Sequence, residues 1–237
     1  RLGFFTAALP QMTLAEIATW AEQSGFGALE IACWPAGGAE RRYGGVSHID
    51  VVNLDQAGAQ AIRKEIDDRG LVISSLGYYP NPLDPDPTVR AAAAEHIKAV
   101  IDAAVLLEVE IVGTFVGADQ RRSAAENLED FAQVWPPLVK YAKERGIKIA
   151  IENCPMLWRD TWPGGSNVAY SPAIWRRMFE IIPDDNFGLN YDPSHLIWQM
   201  IDPIRPIYDF RERIFHVHAK DMEIDRELLY QDGILGC

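Results

Sequence analysis

Cysteine, basic charge and long apolar runs are all scarce in this chain, and each shortage removes a class of protein. Three cysteines, Cys33, Cys154 and Cys237, are scattered over 237 residues. They are too few and too far apart for a disulfide framework and are expected as free thiols in a reducing compartment. Twenty-two Lys and Arg stand against 34 Asp and Glu, a formal net charge of −12. A nucleic-acid partner is therefore not expected, because gripping a phosphate backbone requires a basic surface. No apolar run is long enough to span a bilayer. The opening RLGFFTAALP is too short and wrongly flanked for a secretory signal, so a cytoplasmic protein with no membrane partner is the default. A glycine-rich nucleotide fingerprint is also missing, since FFTAALP occupies the place after the first strand where one would lie. No Ser or Cys has a nucleophile's context; Cys154 follows a strand end without an activating motif.

What is present is an ordinary globular balance, 48% hydrophobic and 24% charged, which supports a substantial core. Short apolar runs alternate with longer amphipathic segments. The expected strands are residues 2–7, 28–33, 71–79, 110–117, 148–154, 187–193 and 213–220. Between them apolar residues recur at i, i+3, i+4 and i+7, as in Leu14, Ile17, Ala18 and Ala21, or Trp175, Met178, Phe179 and Ile182, the stripe of a helix packed on one side. TLAE (13–16) and SAAE (123–126) are capping boxes, Ser171–Pro172 marks a further helix start, and Gly25, Gly70 and Gly146 close helices shortly before strands. Repeated βα units imply a parallel sheet with right-handed crossovers. Seven of them at this length favour one α/β domain over residues 1–237, a TIM (β/α)8-type barrel. About 17 residues follow the seventh strand, too few for another βα unit, so the barrel is expected to lack its last one.

Chemistry in such a barrel sits at the C-terminal ends of the strands. In KIAIENC the alternation leaves Ala150 and Glu152 inward; in FGLNYDP it leaves Asn190 and Asp192; in RIFHVHAK it leaves His216 and His218. Three consecutive strands thus bring a metal-competent side chain to one rim. Glu, Asp and His together suit Mn²⁺, Mg²⁺, Co²⁺ or Zn²⁺. His218 lies at the level of Glu152 and Asp192 and is the expected ligand, whereas His216 lies one layer deeper and is expected to support a ligand through a hydrogen bond. Plainer roles compete: a cation pair for Glu152, an Asx turn for Asp192 in DPSH, a helix start for His195. His48, in the long loop after the second strand, is a candidate for reaching the pocket or for sitting beside a helix start. Trp34, Tyr79, Trp158 and Trp162 follow strand ends and could wall a sugar site. His96 is expected on the solvent side of its helix, and the arginine pairs at 41–42, 121–122 and 176–177 as solvated charge.

IENCP, NYDPSHL and FHVHAKD, in that order on successive strands, resemble the xylose isomerase-like TIM barrel superfamily. They are most similar to its sugar phosphate isomerase/epimerase branch, which includes ketose 3-epimerases and inosose dehydratases. The resemblance implies one divalent ion, manganese foremost, held by Glu152, Asp192 and His218 with a final Glu from the eighth strand, and it implies that His195 contacts substrate. The epimerases carry a second Glu where this chain has Trp158, and an Arg shortly after the metal His where Lys220 and then Arg226 stand. Lys220 is accordingly a substrate-binding candidate. The function implied is a sugar or sugar-derivative isomerase or epimerase, with Glu152 transferring a proton through a metal-stabilised enediolate and with homo-oligomers as an open option. A dehydratase of a keto-polyol is the alternative, followed by a non-catalytic carbohydrate-binding subunit. Endonuclease IV shares the barrel but uses a zinc cluster with extra histidines, and SSLGYYP and GTFVG end without one.

Overall fold

A computed structural model describes residues 1–37, 44–157 and 165–235. The apolar runs form β1 (Gly3–Phe5), β2 (Ala28–Ala32), β3 (Val72–Gly77), β4 (Ile111–Thr114), β5 (Lys148–Glu152), β6 (Phe187–Tyr191) and β7 (Ile214–Val217). Each strand lies within the expected run and stops short of its C-terminal end, because the chain there turns away into the loop that carries the rim residues. All pair in parallel in the order β1-β2-β3-β4-β5-β6-β7. The strands curl into a (β/α)8-type barrel lacking its last unit. Among the described residues no pairing joins β7 to β1.

The amphipathic segments form α1 (Leu14–Gln23), α2 (Gln56–Asp67), α3 (Pro87–Leu107), α4 (Ala124–Lys143), α5 (Pro172–Ile181), the short α6 (Ser194–Ile197) and α7 (Arg205–Asp209), and α8 (Arg226–Asp232). Both capping boxes are formed. The Thr13 amide donates to Glu16 Oε2 at 2.7 Å, and the Ser123 amide to Glu126 Oε2 at 2.8 Å. Ser171 precedes Pro172 as expected, but its side chain makes no capping bond. Gly25, Gly70 and Gly146 have φ of +77°, +67° and +72°, the left-handed conformation that ends a helix at little cost only for glycine.

Outward-facing strand residues such as Ile149, Ile151, Phe187 and Leu189 pack against the helices and are fully or almost fully buried. Phe131, Trp135, Phe179 and Phe187 form one aromatic cluster with ring centroids 5.8–6.3 Å apart. The Trp135 indole N–H donates to Val116 O at 3.0 Å, so the ring is buried with its polar group satisfied. One expectation is overturned. His96 is buried on α3, with Nε2 2.8 Å from Cys33 O and its ring edge-on to Tyr78. The physical reason is helical phase: position 96 is three beyond Ala93 and four before Val100, on the buried stripe. Among the described residues no helix is long and apolar enough to cross a membrane.

Two irregularities in the sheet matter for the site. Pairing of β2 with β3 slips between Leu29 and Glu30, so that β3 carries an extra residue, Ser74, opposite the step. Pairing of β6 with β7 slips between Leu189 and Asn190, where Phe215 is extra. Such bulges re-aim side chains next to functional sites, and here they fall beside Glu30, Asn190 and His216.

Candidate metal and substrate site

The strand ends line the upper part of an open cleft that also runs down between β1 and β7 past Gly3, Ala28 and Ser74, about 960 Å³ in all. One wall is aromatic, from Phe5, Trp34, Tyr79 and Phe115; the other carries Glu152, Asp192, His195, His218 and Lys220.

Glu152 is the last residue of β5, and its carbonyl is gripped from behind. Asn167 Nδ2 donates to Glu152 O at 3.0 Å and to Cys154 O at 2.6 Å, while Asn167 Oδ1 accepts from the amides of Val116 and Gly117 at 3.1 and 3.3 Å. Asp192 follows β6. Its main chain is held by Asn153, whose Oδ1 accepts the Asp192 amide at 2.7 Å and whose Nδ2 donates to Asp192 O at 2.8 Å. The Asp192 carboxylate divides its work. Oδ1 accepts from the Ser194 amide and hydroxyl at 2.9 and 2.6 Å, the turn role that its sequence context suggested. Oδ2 faces the cleft, fully buried and without a well-formed hydrogen bond, 2.8 Å from Lys220 Nζ and 3.3 Å from His195 Nε2. One oxygen builds the loop and the other faces the cleft, paired with the Lys220 ammonium.

His195, on α6, lies 3.8 Å from Glu152 Oε1 and 3.0 Å from Lys220 Nζ. Burial pushes its imidazole below the usual range, more than the Asp192 charge restores, so the neutral ring accepts from the Lys220 ammonium on Nε2. His218, just past β7, stands between two carboxylates: Nε2 is 2.6 Å from Glu30 Oε2 and Nδ1 is 3.2 Å from Glu152 Oε1. Burial alone would lower it, but the Glu30 charge and bonds to both carboxylates raise it to about 11. His216 is deeper. Its Nδ1 lies 3.0 Å from Asn190 Oδ1 and its Nε2 3.1 Å from Ser74 Oγ, and burial lowers its pKa.

Glu30, in the middle of β2, escaped the sequence reading. It is 2% exposed, bonded to the Tyr79 hydroxyl as well as to His218. Burial pushes its carboxyl up, but the His218 cation and these bonds outweigh that and hold it below the usual range. A signal was available: in ALEIAC the alternation that sends Leu29 and Ile31 outward leaves Glu30 as a charged residue aimed into the barrel.

The structure therefore draws the expected residues into two adjoining groups. Ligand atoms of Glu152, Asp192 and His195 all lie within 4.8 Å of one another, as do those of Glu30, His216 and His218. His218 joins the groups through Nδ1. Carboxylate oxygens of Glu152 and Asp192 together with imidazole nitrogens form a donor set that fits a hard-to-borderline divalent ion. Trp34 and Lys220 line the cleft; His48 does not, its Nδ1 lying 2.8 Å from Thr6 Oγ1 beside β2. Trp158, Trp162 and Arg41–Arg42 lie outside the described residues. Cys154 reaches the cleft wall, but burial and then the Glu152 charge push its thiol up to about 12, which suppresses the reactive thiolate.

A family model described as "Xylose isomerase-like TIM barrel" matches residues 18–236. The chain is 27% identical over 263 residues to the uncharacterized protein YfiH of Bacillus subtilis (strain 168), covering 99% of this chain and 77% of that one. Several solved structures share the fold. The probable 3-DHS dehydratase AsbF of Bacillus anthracis superposes with TM-score 0.72 at 14% identity, covering 97% of this chain and 76% of that one. A D-psicose 3-epimerase gives 0.67 at 16%, covering 91% and 71%, and a zinc-binding IOLI protein gives 0.70 at 17%, covering 94% and 74%.

Proposed function

Because the chain belongs to the xylose isomerase-like TIM barrel family, we propose that its cleft is a divalent-metal-dependent active site for isomerising or epimerising a sugar or sugar derivative. Glu152, Asp192 and His218 would hold the ion, manganese in the first instance. The observation that carries this reading is the convergence of ligand atoms of Glu152, Asp192 and His195 within 4.8 Å of one another, with Asp192 Oδ1 committed to the loop and Oδ2 buried in the cleft 2.8 Å from the Lys220 ammonium. Two buried carboxylates this close call for a cation beside them, the place an ion would take.

When bound, the ion supplies Lewis-acid polarisation of a carbonyl and a neighbouring hydroxyl oxygen. The protein's groups divide the rest. Glu152 would remove a proton from the carbon beside the carbonyl. Isomerisation returns that proton to the adjacent carbon on the same face, whereas epimerisation takes a proton from a second acid on the opposite face, the place the family resemblance gives to a Glu of an eighth strand. The Lys220 ammonium and neutral His195, 3.0 Å apart, offer substrate hydroxyls a donor from Lys220 and an acceptor from His195 Nε2. The Trp34, Phe5 and Phe115 wall offers apolar contact to the C–H groups of the substrate.

A second outcome uses the same residues: after the same deprotonation, departure of a β-hydroxyl gives dehydration, the activity in the name of the 3-DHS dehydratase that shares the fold. The experiment is to incubate the protein with Mn²⁺ and a panel of ketoses alongside inosose, following products by NMR in D₂O. Deuterium at the epimerised carbon, lost in Glu152→Gln, supports the proposal. An unsaturated product identifies a dehydratase, and absence of any Mn²⁺ binding rejects both.

A further inference from the structure

We infer that Glu30 is the positioning residue of the metal site: its carboxylate holds the Nε2–H of His218 and thereby leaves Nδ1 as the nitrogen that meets the ion. The inference rests on the metal-dependent reading above and adds to it a residue and an atom.

The geometry separates the two ring nitrogens. Nδ1 points to Glu152 Oε1 at 3.2 Å, on the side of Asp192 and His195, whereas Nε2 points to Glu30 Oε2 at 2.6 Å on the opposite side. An imidazole nitrogen either carries a proton or donates its lone pair. Both nitrogens face a carboxylate in the metal-free protein, but Nδ1 has the longer contact and lies beside Glu152, itself an expected ligand. Nδ1 is therefore the nitrogen that gives up its proton to an ion, while Nε2 keeps the one held by Glu30. A carboxylate behind a histidine ligand fixes ring orientation and raises ligand basicity.

Glu30 is itself fixed. Its second oxygen accepts from the Tyr79 hydroxyl, and Tyr79 Oη accepts from Asn190 Nδ2 at 3.0 Å. Asn190 Oδ1 faces His216 Nδ1 at 3.0 Å, and His216 Nε2 ends the chain at Ser74 Oγ, 3.1 Å away. Asn190 Nδ2 also lies 2.9 Å from His218 Nε2. Both are donors when Nε2–H serves Glu30, so the amide proton goes to Tyr79. The network assigns His216 to the support of Glu30 rather than to the ion, since both its nitrogens have partners.

The barrel interior is also shaped around this carboxylate. A Cβ on Gly77 of β3 would stand 2.7 Å from Glu30 Oε1, and one on Gly113 of β4 would stand 2.5 Å from Tyr79 Oη and 3.0 Å from Glu30 Oε1. Neither glycine has the positive φ that would otherwise call for it. Their missing side chains are the space in which Glu30 and Tyr79 meet, and the register slip between Leu29 and Glu30 sets Glu30 opposite Ser75 across the strand pair.

The test has a metal-free arm and a metal arm. Long-range ¹H–¹⁵N spectra of the histidine rings in the metal-free protein should show a persistent Nε2–H on His218, lost or exchange-broadened in Glu30→Ala. A His218 ring with Nε2 unprotonated overturns the proposal whether or not metal binds. In calorimetric titration with Mn²⁺ alone, Glu30→Ala should bind about 10–100-fold more weakly than wild type, the range for loss of a supporting carboxylate. Glu30→Gln, which keeps an oxygen for Nε2–H, should recover part of the loss, and Tyr79→Phe should cost only a few-fold. Equal affinity in wild type and both Glu30 variants overturns the positioning role while leaving the metal-dependent function standing. Wild type that binds no Mn²⁺ while Nε2–H persists defeats the functional reading, and with it the assignment of Nδ1 to an ion. Should Glu30→Ala fail to fold, Glu30→Gln and Tyr79→Phe carry the same comparison.

Discussion

Replacing Asn167 by alanine tests how the rim is held. This side chain is 1% exposed and makes four hydrogen bonds, two accepted from Val116 and Gly117 after β4 and two donated to Glu152 and Cys154 at the end of β5. A buried hydrogen bond contributes about 1 kcal/mol net, and its loss costs more when the partner stays buried without a substitute. Four such losses amount to about 3–5 kcal/mol, a large share of the roughly 5–15 kcal/mol of a typical domain. At about 2–4 °C per kcal/mol for a chain of this size, Tm should fall by roughly 10 °C. Urea unfolding followed by tryptophan fluorescence should show a lower midpoint with an unchanged slope, as expected when the native fold is kept but weakened. Asn167→Asp should be no better, because a carboxylate preserves the two acceptor contacts but sets a second oxygen against the Glu152 and Cys154 carbonyls. A loss below about 1 kcal/mol for alanine, or recovery by aspartate, would show that water or a rearranged loop replaces these bonds and would refute the reasoning.

Three further outcomes are expected. His218 is raised to about 11 in the folded metal-free protein, against about 6.5 when unfolded. Between those values the native state holds one more proton than the unfolded state, so stability should fall with rising pH by up to about 1.4 kcal/mol per unit. Equal urea midpoints at pH 6.5 and 9, or a slope that survives in His218→Gln, would contradict this. Gly113→Ala should cost about 1–3 kcal/mol through overpacking and weaken Mn²⁺ binding, since its Cβ would stand 2.5 Å from Tyr79 Oη; native-like thermal stability and affinity would count against that crowding. Ser123→Ala removes the capping box of α4 and should lower stability by about 1 kcal/mol without changing Mn²⁺ affinity, as chemical denaturation and calorimetry can check.

Much of this was readable from the sequence because the informative patterns are local. Strand order follows from the alternation of elements, and the inward phase of β5, β6 and β7 follows from a period of two counted over a few residues. The helix starts at Thr13 and Ser123 follow from side chains bonding three residues along. What escaped depends on contacts distant in sequence. Glu30 gains meaning only from His218, 188 residues away, and Asn167 only from β4, about 50 residues back. His96 was misread for another reason: its polarity was weighed above its place on the apolar stripe of α3, although a buried imidazole is acceptable once Cys33 O takes its hydrogen bond. Asp192 shows why rival readings of one residue need not exclude each other, since Oδ1 builds the turn while Oδ2 still faces the cleft.

The two register slips have a dynamic consequence. Ser74 on β3 and Phe215 on β7 are each the extra residue opposite a slip, and an extra residue interrupts the ladder of hydrogen bonds. Amide protons exchange with solvent through local openings whose free energy follows the contacts that must be broken. The amides of Ser74 and Phe215 should therefore deuterate before those of Ile149 and Ile151, which lie in a strand paired on both sides. His218 lies three residues beyond Phe215, so fastening its ring to an ion held by its neighbours would slow exchange at Phe215.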